Sequence, residues 1–149
     1  MMDGDGKRAL PLEDQLCFAL YAATNAITRS YRPRLEAHGL TYSQYLVMLA
    51  LWQEGSMTPG QIARRLRLGA NAMPPILRQL EANGLIARAV DQADRRRVTI
   101  ALTERGRRIE QAASIAQEEV VCDTGLDPES LAALREELHA LTARLSEAT

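Results

Sequence analysis

The sequence predicts a mainly α chain built around a helix-turn-helix with a small β-hairpin attached, flanked at both ends by longer amphipathic helices. Three observations carry this. Apolar residues recur at helical spacing over most of the length, two short helices follow one another, and two strand-like runs joined by a basic turn come directly after them. At 149 residues and 46% hydrophobic side chains, the chain can fill one core with helical extensions. The expected layout is a single domain, 1–149, with a central module over about 41–103 between helical arms over about 12–37 and 104–149.

The first helix is expected from about Leu12 to Ser30 or a little beyond, with Leu16, Leu20, Ala23 and Ile27 on one stripe, Pro33 perturbing it and Gly39 ending the segment. Thr41-Tyr42-Ser43-Gln44 has capping-box form, with Leu40 and Tyr45 placed as a hydrophobic staple, and opens a helix through Trp52 that Gly55 stops. Thr58-Pro59-Gly60-Gln61 repeats the device with proline at the first helical position and Met57 and Ile62 as staple, starting a short helix to about Leu66. A further helix runs from near Asn71 to Ala82 and is closed by Asn83-Gly84. Residues 85–90 and 97–102 are strand-like, and the turn between them carries Asp94, Arg95, Arg96 and Arg97. A basic hairpin directly after a helix-turn-helix is a wing. Thr103 can cap a long helix to about Val121, and Asp127-Pro128 opens a last helix in which Leu131, Leu134, Leu138, Leu141 and Leu145 form one stripe. That stripe needs a partner helix, and a second copy of the chain is its simplest source.

The net charge of −1 conceals a segregation: the balances over residues 1–59, 60–110 and 111–149 are −1, +6 and −6. A basic run alone is ordinarily a solvated surface. Here it coincides with the helix-turn-helix, and neutralised phosphates supply most of the affinity of such modules for double-stranded DNA. The second helix of the pair should enter the major groove, with Asn71, Ala72, Pro74 and Arg78 near base edges or phosphates. Arg95 or Arg96 should reach the minor groove, Asp94 should hold Arg96 by a charge-assisted hydrogen bond, and Arg64, Arg65, Arg67 and Arg88 are phosphate contacts.

No segment has the eighteen or so apolar residues that span a bilayer, and residues 1–8 hold a Lys-Arg pair without an apolar run behind it, so a cytoplasmic setting and no membrane partner are expected. Thiols stay reduced there, which makes any disulfide between Cys17 and Cys122 conditional. His38 and His139 lie far apart without ligands at metal spacing, so neither metal nor cofactor is expected. The carboxylates of the last two helices read as a solvated face, and no acid/base pair suggests an enzyme.

Cys17 lies in the helical stretch Gln15-Leu16-Cys17-Phe18-Ala19-Leu20-Tyr21. A lone cysteine in an apolar helix is ordinarily a small buried hydrophobe, yet a thiolate can also be oxidised and trapped by a second thiol. Cys17, Tyr21, Thr24, Thr28 and Tyr31 share a helix face. Fourteen helical residues put Cys17 and Tyr31 roughly 21 Å apart along the axis, against about 3 Å for a hydrogen bond, so the two can meet only across a subunit interface.

The order of elements, with Asp94-Arg95-Arg96 followed by Leu102-Thr103-Glu104-Arg105-Gly106, resembles the MarR family of dimeric winged-helix regulators over nearly the whole chain. The Cys17 stretch and Leu40-Thr41-Tyr42-Ser43-Gln44-Tyr45-Leu46-Val47-Met48-Leu49 resemble a narrower group, the organic-hydroperoxide-resistance regulators, and Glu119-Val120-Val121-Cys122 suggests their two-cysteine branch. The resemblance implies a homodimeric repressor that leaves its operator when an organic hydroperoxide oxidises Cys17, the product being captured by Cys122 of the other subunit. It further implies that Tyr31 and Tyr42 from the partner stabilise the thiolate or align the peroxide. One departure stands out: hydroxyl residues common at the start of the family's recognition helix are replaced by Gly69-Ala70-Asn71-Ala72-Met73-Pro74-Pro75. Three alternatives stay open, namely a regulator responding to a small aromatic or anionic ligand, a thiol peroxidase, and an interaction protein that has lost DNA binding.

Overall fold

The computed structural model describes residues 6–148. A 3-10 turn at Leu12–Asp14 precedes α1 (Leu16–Glu36), α2 (Tyr42–Glu54) and α3 (Pro59–Leu66). A second 3-10 turn at Ala70–Ala72 leads into α4 (Met73–Ala82), the hairpin strands β1 (Ile86–Val90) and β2 (Val98–Leu102), and then α5 (Glu104–Arg108), α6 (Glu110–Thr124) and α7 (Pro128–Ala148). The mainly helical class with one two-stranded antiparallel sheet is as the sequence predicts.

The local signals act where they were read. Both capping boxes are closed in both directions, Gln44 to Thr41 and Gln61 to Thr58. Thr103 accepts from the Gly106 amide, and Asp127 accepts from the Ser130 amide at 2.8 Å to open α7. In the hairpin Ile86 pairs with Leu102 and Val90 with Val98. Met57 adds a short bridge to Ile100, which anchors the turn before α3 to the wing.

Four boundaries differ. The first helix begins at Leu16, because Gln15 is extended and its side-chain amide donates to the Leu10 carbonyl at 3.1 Å, which separates the 3-10 turn from α1. It continues through Pro33 to Glu36, since Pro33 sits on the exposed side. The helix opened by Thr103 breaks at Ile109, whose ψ of −3° redirects the chain into α6. Asn71 and Ala72 belong to the 3-10 turn rather than to the recognition helix itself.

The core gathers Leu35, Met48, Leu51, Ile62, Leu77, Leu80 and Ile100, all fully buried. Beside it α6 runs antiparallel to α1: the Ser30 hydroxyl donates to Asp123 at 2.9 Å and the Arg34 guanidinium to Glu119 at 2.8 Å. These two carboxylates keep the solvent exposure expected of them, 54% each, and in addition tie α6 to α1. The outer end of α1 and the whole of α7 lie apart from this core, with Leu16 62% and Leu145 59% exposed and no residue of α7 buried.

Candidate functional site

Two sites emerge, one on the central module and one at the helical arms. On the module, α3 and α4 form the helix-turn-helix, and Arg67 in left-handed conformation (φ 56°) caps α3 at the turn. Asn71, Pro74 and Arg78 are exposed on the α4 side, with Ala72 half-buried. The wing turn is shaped by Asp91, whose carboxylate accepts from the Ala93 amide, and by a backbone bond from Arg97 to Asp94. The Asp94 carboxylate accepts from the backbone amide of Arg96 at 3.1 Å, while the Arg96 Nε is 3.7 Å away. Asp94 therefore orders the turn instead of gripping the guanidinium as expected, and the Arg96 side chain stays 96% exposed. Arg95 is exposed beside it.

The remaining phosphate candidates are not equivalent. Arg64 is exposed, whereas Arg65 turns back to Gln53 at 3.2 Å and Glu54 at 3.7 Å. Arg88 is paired with Glu81 on α4 at 2.7 Å, so its charge is compensated until something displaces that carboxylate.

A joint fastens the module to the arms, and the sequence reading missed it. The Thr103 hydroxyl donates to the Gly84 carbonyl at 2.6 Å, the Thr103 amide to Leu85, and Arg105 to the Asn83 carbonyl at 2.8 Å. The Trp52 indole N–H donates to the carbonyl of buried Gly106 at 2.9 Å. The Leu-Thr-Glu-Arg-Gly motif thus links the end of α4, the end of β2 and the side of α2 in one place; only three-dimensional packing reveals Trp52 as its partner.

At the arms, Cys17 and Cys122 are both free and exposed. Tyr31 is 8% exposed and sits in a three-ring cluster, with centroids 5.6 Å from Tyr42 and 5.1 Å from Tyr45. Tyr45 was read only as a staple residue, although its i, i+3 spacing from Tyr42 could have signalled a shared face. Burial pushes all three phenols up, reinforced at Tyr31 by Tyr45 and at Tyr42 by Tyr31, so each remains a neutral phenol at neutral pH. The rings form one wall of a cavity of about 440 Å³ whose other sides include Trp52, Glu110 and Ser114. No group of residues fit to hold a metal occurs among the described residues, and no helix among them is long and apolar enough to cross a membrane.

A helix-turn-helix with a cationic hairpin, borne on helices that leave apolar stripes open, defines a winged-helix DNA-binding regulator. Residues 40–98 match the MarR family model. The regulator TtmR of Methylorubrum extorquens is 42% identical over 136 residues, covering 87% of this chain and 70% of that protein. The organic hydroperoxide resistance transcriptional regulator of Bacillus subtilis is 38% identical over 104 residues, covering 70% and 71%. Among solved structures, reduced AbfR bound to DNA, from a protein of Staphylococcus epidermidis, has TM-score 0.74 and 34% identity, covering 90% of this chain and 93% of that one. AbfR is also known in a disulfide form (TM-score 0.65, 33% identity, 91% and 90% covered). The chain belongs to the MarR family; it is a DNA-binding transcriptional regulator and not an enzyme.

Proposed function

We propose that this regulator is a homodimeric repressor of the two-cysteine organic-hydroperoxide-resistance type, 1–149 forming one domain whose arms, about 12–37 and 104–149, make the dimer. Cys17 thiolate attacks the distal peroxide oxygen, giving a sulfenic acid and releasing the alcohol; Cys122 of the partner subunit then displaces water to form the disulfide. Tyr31 and Tyr42 donate hydrogen bonds at the partner's Cys17. Asn71, Ala72, Pro74, Arg78, Arg64, Arg65, Arg88, Arg95 and Arg96 face the operator, with Asp94 holding the wing turn.

The observation that carries this reading is the antiparallel register of α1 and α6. Asp123 bonds Ser30, thirteen residues beyond Cys17, so Cys122 lies about 20 Å along α1 from Cys17 in its own chain. A disulfide needs Cα atoms within roughly 7 Å. That separation argues against pairing within one chain and supports pairing between subunits brought together over the open stripes of α1 and α7. The similarity to a hydroperoxide-resistance regulator and to a protein with reduced DNA-bound and disulfide forms supports the same assignment.

The test is brief treatment with cumene hydroperoxide followed by mass measurement without reductant. A covalent dimer linked Cys17 to Cys122 is expected, lost in Cys17→Ser, while Cys122→Ser stops at the sulfenic acid. The cavity lined by the tyrosines favours one second reading, a small aromatic ligand as inducer with incidental thiols. Peroxide-driven DNA release that survives Cys17→Ser sinks the thiol reading.

A further inference from the structure

The start of the recognition helix is chemically unusual for a surface that must face nucleic acid. Between residues 72 and 75 it offers no hydrogen-bond donor at all. The Ala72 amide is bonded to the Gly69 carbonyl and the Met73 amide to the Ala70 carbonyl, while Pro74 and Pro75 have no N–H. No side chain in the segment is polar, and none caps α4. Pro74 and Pro75 nonetheless stand exposed, with exposed Asn71 and Arg78 three to four residues away on either side, the spacing of neighbours on a helix surface. A first turn of this kind cannot clamp a phosphate or accept a base edge by hydrogen bonding.

The one apolar group that B-form DNA displays in the major groove is the thymine 5-methyl. We infer that the first turn of α4 reads thymine methyl groups, with Pro74 and Pro75 forming rigid apolar contacts and Asn71 and Arg78 supplying the flanking polar contacts to base edges or phosphates. The rings are fixed before binding, so docking a methyl against them costs no side-chain ordering. The inference rests on the DNA-binding assignment and is independent of the thiols.

The experiment uses the full chain, reduced. A duplex is enriched from a random library, and its thymines are replaced one at a time by deoxyuridine, which removes only the methyl. Binding is measured by fluorescence anisotropy at fixed salt. At one or two positions per half-site the affinity should fall about fourfold, the worth of one buried methyl-sized group. In Pro74→Ser, checked for helix content and melting, that dependence should shrink at one of those positions. Pro74→Ala, which keeps an apolar but smaller surface and frees an amide, should fall between. Tight binding to the enriched duplex with no deoxyuridine effect anywhere refutes the methyl reading alone, as does an unchanged effect in both variants. Failure to enrich any duplex at low salt refutes it together with the DNA-binding assignment.

Discussion

Gly106→Ala is the sharpest test of the joint between the reading module and the arms. An added Cβ would meet the Leu85 carbonyl, with its carbon at 3.1 Å and its oxygen closer still, and the Leu102 Cδ2 at 3.3 Å. The obstacle is backbone at the start of the wing, not the end of a flexible side chain. To make room, α5 must recede by about 1 Å, the order of displacement that forfeits close contacts. Three bonds depend on its position: the Thr103 cap on the Gly106 amide at 3.1 Å, the Thr103 amide on Leu85 at 3.1 Å, and the Trp52 indole on the Gly106 carbonyl at 2.9 Å.

Losing a cap costs about 1 kcal/mol, and each of the other two bonds about the same. Alanine regains up to about 1 kcal/mol of helix propensity, leaving a net loss of about 2 kcal/mol, a substantial share of the 5 to 15 kcal/mol, roughly, by which domains are stable. Urea unfolding at fixed protein concentration, followed by the chain's single tryptophan, measures it. Gly60→Ala is the control, because an added Cβ there meets nothing within 4 Å and the site is helical. It should leave stability unchanged or raise it by up to about 1 kcal/mol. Equal midpoints for Gly106→Ala and wild type would falsify the account of the joint.

Three further outcomes follow from the geometry. Tyr31, Tyr42 and Tyr45 should ionise above the ordinary phenol value of 10.0, so near-ultraviolet phenolate absorbance should show three late tyrosines. Their folded values are raised, so their stabilising contribution is complete below pH 10.0 and is lost as pH rises through the folded values, the unfolded chain ionising first; early titration of Tyr31, Tyr42 and Tyr45 contradicts the buried cluster. Glu81→Gln removes the partner of Arg88, 2.7 Å away, and should tighten DNA binding while steepening its logarithmic salt dependence by about 1. An unchanged slope means Arg88 never reaches phosphate. Arg96→Ala should weaken binding and flatten that slope by about 1 without altering stability, because the side chain is 96% exposed and its ion pair with Asp94 is long, at 3.7 Å.

What the sequence made legible was whatever short-range chemistry decides. The boxes at Thr41 and Thr58, the cap at Thr103 and the Asp127-Pro128 start each need only four residues, and each is present. The basic turn and both strands of the hairpin were readable for the same reason. What escaped depends on distant partners. Ile109 carries no helix-breaking signal in its sequence; α5 ends there with Ile109 packed against the core. The pairing of the exposed Glu119 and Asp123 with α1 escaped because Arg34, their partner, is 85 residues from Glu119 in sequence. Asp94 and Arg96 were rightly placed together at the turn, but a carboxylate two residues before an amide bonds the backbone more readily than a flexible guanidinium.

The same contrast bears on how sensing and assembly relate. Tyr31 occupies the inner end of α1, where it meets Tyr42 and Tyr45 of α2 in the core, and Cys17 the outer end, where its side chain is exposed. Tyr21, one turn beyond Cys17, is 67% exposed, which is the setting of a side chain awaiting a second surface. On the proposed reading that surface is the partner's tyrosine cluster, so the thiol acquires its hydrogen-bond donors only when the apolar stripes of α1 and α7 are covered. Dimerisation and peroxide sensing are then a single structural requirement. A monomer would hold Cys17 as a solvent-exposed thiol, with Cys122 of the same chain about 20 Å away along α1.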